Sequence, residues 1–390
     1  MSLATLRDHL SRGGAATLNH PATYAVAEGA VIAPARYAGR SGSEFVFETR
    51  YVDGGFARTV LIDSKGSQSN RAEEGLLTAR REVAAAERIP VIEVRYPSRT
   101  LTDLELPHRA VDAHIRASTR DGVDTVKTEW YRALRDATAV DLSPLFLASP
   151  ATLAFGGWDS SRRRGQLRLR SLFVSELFGV VSEQEDGRVS RRSGGRLDPL
   201  GQDFHLTPDE FQRLLDVQRD EMGERTVRTL ERRVAAARRN GRAETISASP
   251  LNLGGVPPST ETPFGVSVPA VRRARTYSLA GLRRLRFGGT AEDDAKARTA
   301  LLAMLLLGAA YADADPEIRA YCDLSAPRGR VLLDDREAEL DLSIDACAAF
   351  LEEAIADLPE RLAWTGQTIS LDGEPSLDRA ATATADDADA

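Results

Sequence analysis

The chain has 390 residues, enough for a substantial core and for two or three average domains. Apolar residues make up 42% and the formal net charge is −7, a globular composition that excludes a chain basic throughout. Its two cysteines, Cys322 and Cys347, form no CxxC and no zinc spacing, and a reduced, cytoplasmic compartment fits. No metal and no cofactor is expected.

Taken in order, residues 3–10 suit a short helix, too short and too charged for a secretory leader. Residues 24–33 read as a first strand. Residues 44–52 alternate, with Phe45, Phe47 and Tyr51 on one face. Asp53-Gly54-Gly55 is a hairpin signal, and residues 56–62 form the return strand. The stretch from Asp63 to Glu73 then joins that strand to a helix expected from Glu73, with Leu76, Leu77, Val83 and Ala84 at helical spacing. Asn70 and Glu73 suit its N-cap and N3 positions. The stretch is dense in donors: Ser64, Lys65, Ser67, Gln68, Ser69, Asn70 and Arg71. A helix N-terminus flanked by cations suits a phosphate, although a polar loop with a good cap has the same composition. The GxxxxGK[ST] pattern of a nucleotide-binding loop is absent.

Residues 91–94 begin another strand, and residues 106–139 turn helical, with His108 and Asp112 on one face and His114 off it. Further metal ligands are missing there. Residues 152–158 read as a strand with Gly156-Gly157 inside, and residues 168–181 as another. Around this pair lies a basic cluster: Arg162, Arg163, Arg164, Arg168, Arg170, Arg188, Arg191, Arg192 and Arg196. Thr207-Pro208-Asp209-Glu210 is a strong helix start, followed by a stripe of Phe211, Leu214, Leu215, Met222, Val227, Leu230 and Val234. Residues 247–263 are a Ser/Gly/Pro loop stiffened by Pro257-Pro258. Strand character returns at 266–278 with Arg272, Arg273 and Arg275. The six arginines between Arg272 and Arg286 have no acidic neighbour in sequence. Residues 290–312 form a buried helix whose apolar run, 300–312, is too short to span a bilayer. A short strand at 331–333, an amphipathic helix at 343–358 and an acidic stretch at 372–390, expected to be disordered, complete the chain.

Several of these stretches share one resemblance. The run DSKGSQSNRAEE, from Asp63 to Glu74, is similar to the carboxylate-Ser-x-x-Ser-x-x-Asn-Arg-x-Glu signature of the Csb family. Csb proteins are the backbone RAMP subunits of type I-G (formerly I-U) CRISPR effector complexes. SPATLAFGGWDS from Ser149, GRLDPLG from Gly195, GGVPPST from Gly254 and SLAGLRRLRF from Ser278 match in the same order. The resemblance spans residues 25–324.

It implies an α+β RAMP protein with a ferredoxin-like (RRM-like) palm, helical insertions and a thumb loop or hairpin. One elaborated domain would cover residues 1–371. Palm strands would lie near 24–63, 91–95, 152–181 and 266–278, insertions near 106–139 and 207–241, and the thumb near 247–263. It implies a guide-RNA (crRNA) binding role, with copies lined along one RNA in a Cascade complex that pairs the guide with invading DNA. The partners are then guide RNA, further copies, other Cascade subunits and the target DNA strand, with no membrane. The missing aromatic pattern of a free-standing RRM fits a grip on the backbone rather than readout of bases. Carried onto this chain, the RNA-binding residues are Ser64, Lys65, Ser67, Gln68, Asn70, Arg71, Trp158, Ser160, Arg168, Arg170, Arg192, Arg196, Arg272 and Arg275. The chain departs from the family after Pro257-Pro258-Ser259, where Phe264-Gly265-Val266 replaces an Arg-Gly-Gly run. No catalytic residue is expected. The alternative is a metal-dependent RAMP ribonuclease, for which Asp63, Asp159 and Asp198 are the candidates.

Overall fold

The structure, a computed structural model, describes residues 2–39, 42–159, 168–181, 189–193, 195–201, 203–240 and 245–378. The chain divides into two compact units, residues 1–188 with 266–374 and residues 189–265 with 375–390. In the first unit the main elements are β1 (Thr17–Asn19), β2 (Ala22–Ala25), β3 (Phe47–Val52), β4 (Gly55–Asp63), α1 (Lys65–Glu82), β5 (Val91–Arg95), β6 (Phe173–Val180), β7 (Ala270–Ser278), α2 (Ala291–Ala314), β8 (Val331–Leu333), α3 (Ile344–Ala356) and β9 (Thr368–Asp372).

The large sheet runs β8-β1-β7-β6-β4-β3, with β2 pairing the far half of β7 beside β1. All these pairs are antiparallel. Four inner strands and two helices give the chain order β1, α1, β6, β7, α2, β8 and the spatial order β8-β1-β7-β6. That is the 4-1-3-2 arrangement of a ferredoxin-like βαββαβ sheet. The fold is therefore α+β with a ferredoxin-like sheet, but its strands are not all those expected: β5, at 91–95, lies in a separate sheet, and β1 and β8, outside the expected ranges, take two of the four palm places. The β3–β4 hairpin extends it past β6. Its two-residue turn, Asp53 (φ 53°) and Gly54 (φ 84°), has both residues in the left-handed region, as the Asp-Gly signal requires.

Alternation along β7 decides which side of the sheet is covered. Val271, Arg273, Arg275 and Tyr277 are buried, whereas Ala274 is exposed and Arg272 and Thr276 are half-buried. Helices α1 and α2 lie on the buried side. They cross where two glycines meet. A Cβ on Gly75 would overlap the carbonyl of Gly308, and one on Gly308 would overlap that of Ala72. Helix α2 starts with a Thr290–Asp293 capping box and is buried almost all round from Ala297 to Ala310. By length and composition it could cross a membrane, but 78% of its apolar window is buried inside the protein. A second sheet pairs β9 in parallel with β5, flanked by Thr100–Thr102 and by the small hairpin Thr119–Arg120/Val123–Asp124.

The second unit holds a helical hairpin, Pro208–Gln218 and Glu224–Asn240, begun by the Thr207–Glu210 capping box. Phe211, Leu215, Leu230, Val234 and Leu251 form its core, with Leu214 and Met222 against them. The stripe read from periodicity is this core. Strand Ser190–Ser193 pairs with Ser259–Gly265, so part of the expected loop at 247–263 is a strand.

Local expectations fail in five other places. The strand expected at 24–33 is confined to Ala22–Ala25, and Ile32 makes only an isolated bridge to Val266. The helix expected from Glu73 starts eight residues earlier, at Lys65, because Ser64 is the N-cap and accepts from the Ser67 amide at 3.3 Å. Asn70 lies inside the helix and caps nothing. Residues 152–158 are mostly helix, Pro150–Phe155, with Pro150 in its first turn, and strand pairing is confined to Gly157–Trp158 with Arg168–Leu169. The long helical stretch at 106–139 breaks into Ala113–Arg116 and Glu129–Arg135 around the small hairpin. Finally, β9 takes in Asp372, and residues 375–378 are helical; residues 379–390 of the acidic stretch lie outside the described residues.

Candidate nucleic-acid interface

The signature stretch is the inner support of the sheet. Asp63, the last residue of β4, is 0% exposed. Its carboxylate accepts from Gln68 Nε2 at 2.8 Å, Arg71 Nε at 3.1 Å and Arg319 Nη2 at 2.8 Å. Gln68 is buried and accepts in turn from Ser175 Oγ on β6 at 2.9 Å. Arg71 also donates to the carbonyls of Glu317 and Ile318, each at 2.6 Å. Two residues on, buried Glu73 takes Arg109 bidentately at 2.5 and 2.7 Å. A buried carboxylate needs this number of donors, because each unpaired lone pair would cost a hydrogen bond. Gln68 and Arg71, expected on RNA, are therefore committed to the fold. Ser64 is a cap, and Ser67 supplies the amide it receives. Lys65 and Asn70 do face solvent. Lys65 is 63% exposed and reaches Glu176 at 3.6 Å.

The same polar chain continues under β7. Arg275 donates to Ser175 Oγ at 3.4 Å and binds both oxygens of Asp313, at the end of α2, at 2.9 Å each. Arg273 contacts the same carboxylate and reaches Tyr24 Oη at 2.9 Å and His20 Nδ1 at 3.0 Å. Arg273 and Arg275 are 2% and 3% exposed. Arg275, expected on RNA, is thus a core residue. Its sequence window lacks acids, but Asp313 is supplied by α2. Burial, then the charges of Arg273 and Arg275, push His20 down to about 4. Burial by itself would raise the Asp313 carboxyl, yet the charges of Arg275 and Arg273 hold it low.

The remaining predicted residues do not converge on one point. Trp158 is 50% exposed, with the Arg168 guanidinium 4.8 Å from its ring centroid. Arg170 donates to Ser278 Oγ at 2.6 Å, close to the start of SLAGLRRLRF. Arg192 and Arg196 belong to the second unit, where Arg196 is exposed and its backbone bridges to Val256. Ser160, Arg162, Arg163, Arg164 and Arg188 lie outside the described residues. The aspartates of the ribonuclease alternative each have partners. Asp63 is the buried hub, Asp159 meets Arg116 at 3.3 Å, and Asp198 accepts from the Leu200 and Gly254 amides. Among the described residues no group of three or more His, Cys, Asp or Glu side chains is arranged to hold a metal ion.

Arg272 is the predicted residue that meets new neighbours. It lies on the uncovered face of the sheet, where Thr23 and Ala274 are exposed and Val174 is 39% exposed. There a groove of about 620 Å³ is floored by Arg272–Ala274 and Phe178. Tyr51, Val52 and Asp53 of the hairpin tip form one wall; Pro21–Thr23 and Arg328–Arg330 form the other. Arg328 and Arg330 are exposed. Asp53 is the single acid among the lining residues, and Arg272 holds both its oxygens, at 2.8 and 2.5 Å. Tyr51 is 68% exposed, edge-on to Phe56 at 5.5 Å. Sequence reasoning passed over Arg328 and Arg330. The available signal was two arginines flanking Gly329.

Residues 18–183 match the family of CRISPR-associated protein GSU0053. The matched stretch runs from β1 to just past β6, and so takes in the hairpin, the signature helix and the first half of the palm. It links the chain to a CRISPR-associated family. No curated protein matches the chain.

Proposed function

We propose that the chain is the guide-RNA-binding backbone subunit of a Cascade-like CRISPR complex, of the Csb family and type I-G. Several copies line one guide RNA in the cytoplasm, contact the other Cascade subunits, and present the guide's bases to a target DNA strand. The subunit binds and does not cut. The observation that carries this reading is the uncovered face of the ferredoxin-like sheet, edged by arginines in a groove with one acid. Cations beside small and polar side chains suit a phosphodiester backbone and leave base edges free to pair. The match of residues 18–183 to a CRISPR-associated family supports the same reading. Head-to-tail contacts between copies would give an open assembly whose length follows the RNA.

The test is co-expression with a repeat–spacer transcript, followed by purification, sequencing of bound RNA and measurement of mass in solution. The expected product is a multi-copy particle holding RNA of guide length. A chain that purifies free of RNA, with the mass of one copy, would overturn the proposal.

A further inference from the structure

The groove by the hairpin tip contains a pairing that does little for the fold. Among the described residues Arg272 is held by Asp53 alone, and Asp53 is 70% exposed at its side chain, in a turn at the end of the hairpin. Exposed ion pairs contribute little stability. The geometry is nevertheless bidentate, the same fork that a guanidinium offers to a phosphate. Across the groove, Arg328 and Arg330 have no ion-pair partner among the described residues. The floor between the walls is Ala274, an exposed small residue on the central strand. Three cations and an open floor form a built channel.

We propose that this groove seats a stretch of single-stranded RNA, with phosphates on Arg272, Arg328 and Arg330, and that Asp53 occupies Arg272 until a phosphate displaces it. The inference rests on the RNA-binding reading above and specifies where on this chain the strand runs. A phosphate entering the groove exchanges one bidentate partner of Arg272 for another, so the arginine is pre-positioned and need not be ordered on binding. The displaced Asp53 turns to water at the hairpin tip, where its exposure makes release cheap. The pairing also discriminates, because a ligand too weakly charged to compete with a carboxylate leaves Arg272 closed.

The experiment uses the full chain and a fluorescein-labelled uridine-rich RNA of about 20 nucleotides, longer than the roughly 4–16 that a single-strand-binding module covers. Anisotropy gives Kd over a series of salt concentrations. The Arg328→Ala/Arg330→Ala double variant is expected to bind at least about tenfold more weakly, and to flatten the log–log salt slope by roughly 0.7 per lost phosphate contact. Asp53→Asn keeps a residue that tolerates the left-handed turn and removes the competing charge, so it is expected to bind severalfold more tightly. Each variant is checked for an unchanged melting temperature. If the wild type binds RNA and the double variant keeps its affinity and slope, the groove is not the seat, although the RNA-binding reading stands. If Asp53→Asn binds no more tightly than the wild type while the double variant is impaired, the displacement step is wrong. If the wild type does not bind the RNA at any salt concentration, the RNA-binding reading and the groove proposal fall together.

Discussion

Arg71 and Arg328 belong to the same unit and carry the same charge, but they have opposite roles. Arg71 lies in the stretch that looks most like a nucleic-acid motif. Its guanidinium is shared among Asp63 and two backbone carbonyls, and its side chain is 23% exposed. Arg328 lies in a two-residue strand paired with β2 and faces an open groove. The difference teaches that a dense donor run can be dense because its own fold needs donors. Asp63, buried at a strand end, takes two of them, Gln68 and Arg71, with Arg319 as a third donor from elsewhere, and Gln68 passes the network to Ser175 and Arg275. A cation is available to a ligand only when the fold has not already neutralised it.

The comparison breaks most readily at Asp63. Asp63→Ala would leave Arg71 and Arg319 beside a hole, and breaking a buried pair from one side costs about 3–5 kcal/mol. Urea unfolding should therefore show a large fall in midpoint with an unchanged slope. A loss below about 1 kcal/mol, the level of a surface pair, would move the signature stretch from support to surface. Groove substitutions are expected to stay within about 0.5 kcal/mol, which is the contrast to be tested.

The helix crossing beneath the sheet is the next test. Gly308→Ala places a methyl against the Ala72 carbonyl and the Leu76 side chain, and must push α1 from α2. Overpacking of this kind costs roughly 1–3 kcal/mol. The displacement would also disturb the Gln68–Ser175 link, so thermal unfolding should show an earlier and broader transition. A melting temperature equal to that of the wild type would mean that the crossing is looser than the structure shows.

His20 sharpens the comparison through pH. Its folded value, about 4, lies below the ordinary 6.5, so the unfolded state binds more protons between those limits. Stability from this group is present above pH 6.5 and falls as pH drops toward 4. His20→Asn is expected to flatten the stability profile in that window, and the groove variants are expected to leave it unchanged. A wild-type profile of the same shape as that of His20→Asn would remove His20 from the buried network.

Much of the architecture was legible along the chain. The Asp53-Gly54 turn, the Thr207 cap, the apolar helix after Ala300 and the stripe from Phe211 to Val234 are local signals with local causes. The start of α1 was misplaced because apolar periodicity begins only at Ala72, after two turns whose buried residue is polar Gln68. A polar residue can face the core when a partner waits there, and that partner, Ser175, lies more than a hundred residues away.

The sequence by itself determined which segments curl and which extend, since spacing, caps and turn residues act within a few positions. It also determined where the cations stand along the chain. Only the tertiary structure decided which of them are available. Arg273 and Arg275 looked unopposed between Arg272 and Arg286, and Asp313 on α2 neutralises both. Arg272, one residue from Arg273, points to the other face because a strand alternates. There the hairpin tip, β2 and Arg328–Arg330 come together from distant parts of the chain. Charge pairing acts through space over a few ångströms, so chain order alone cannot reveal it.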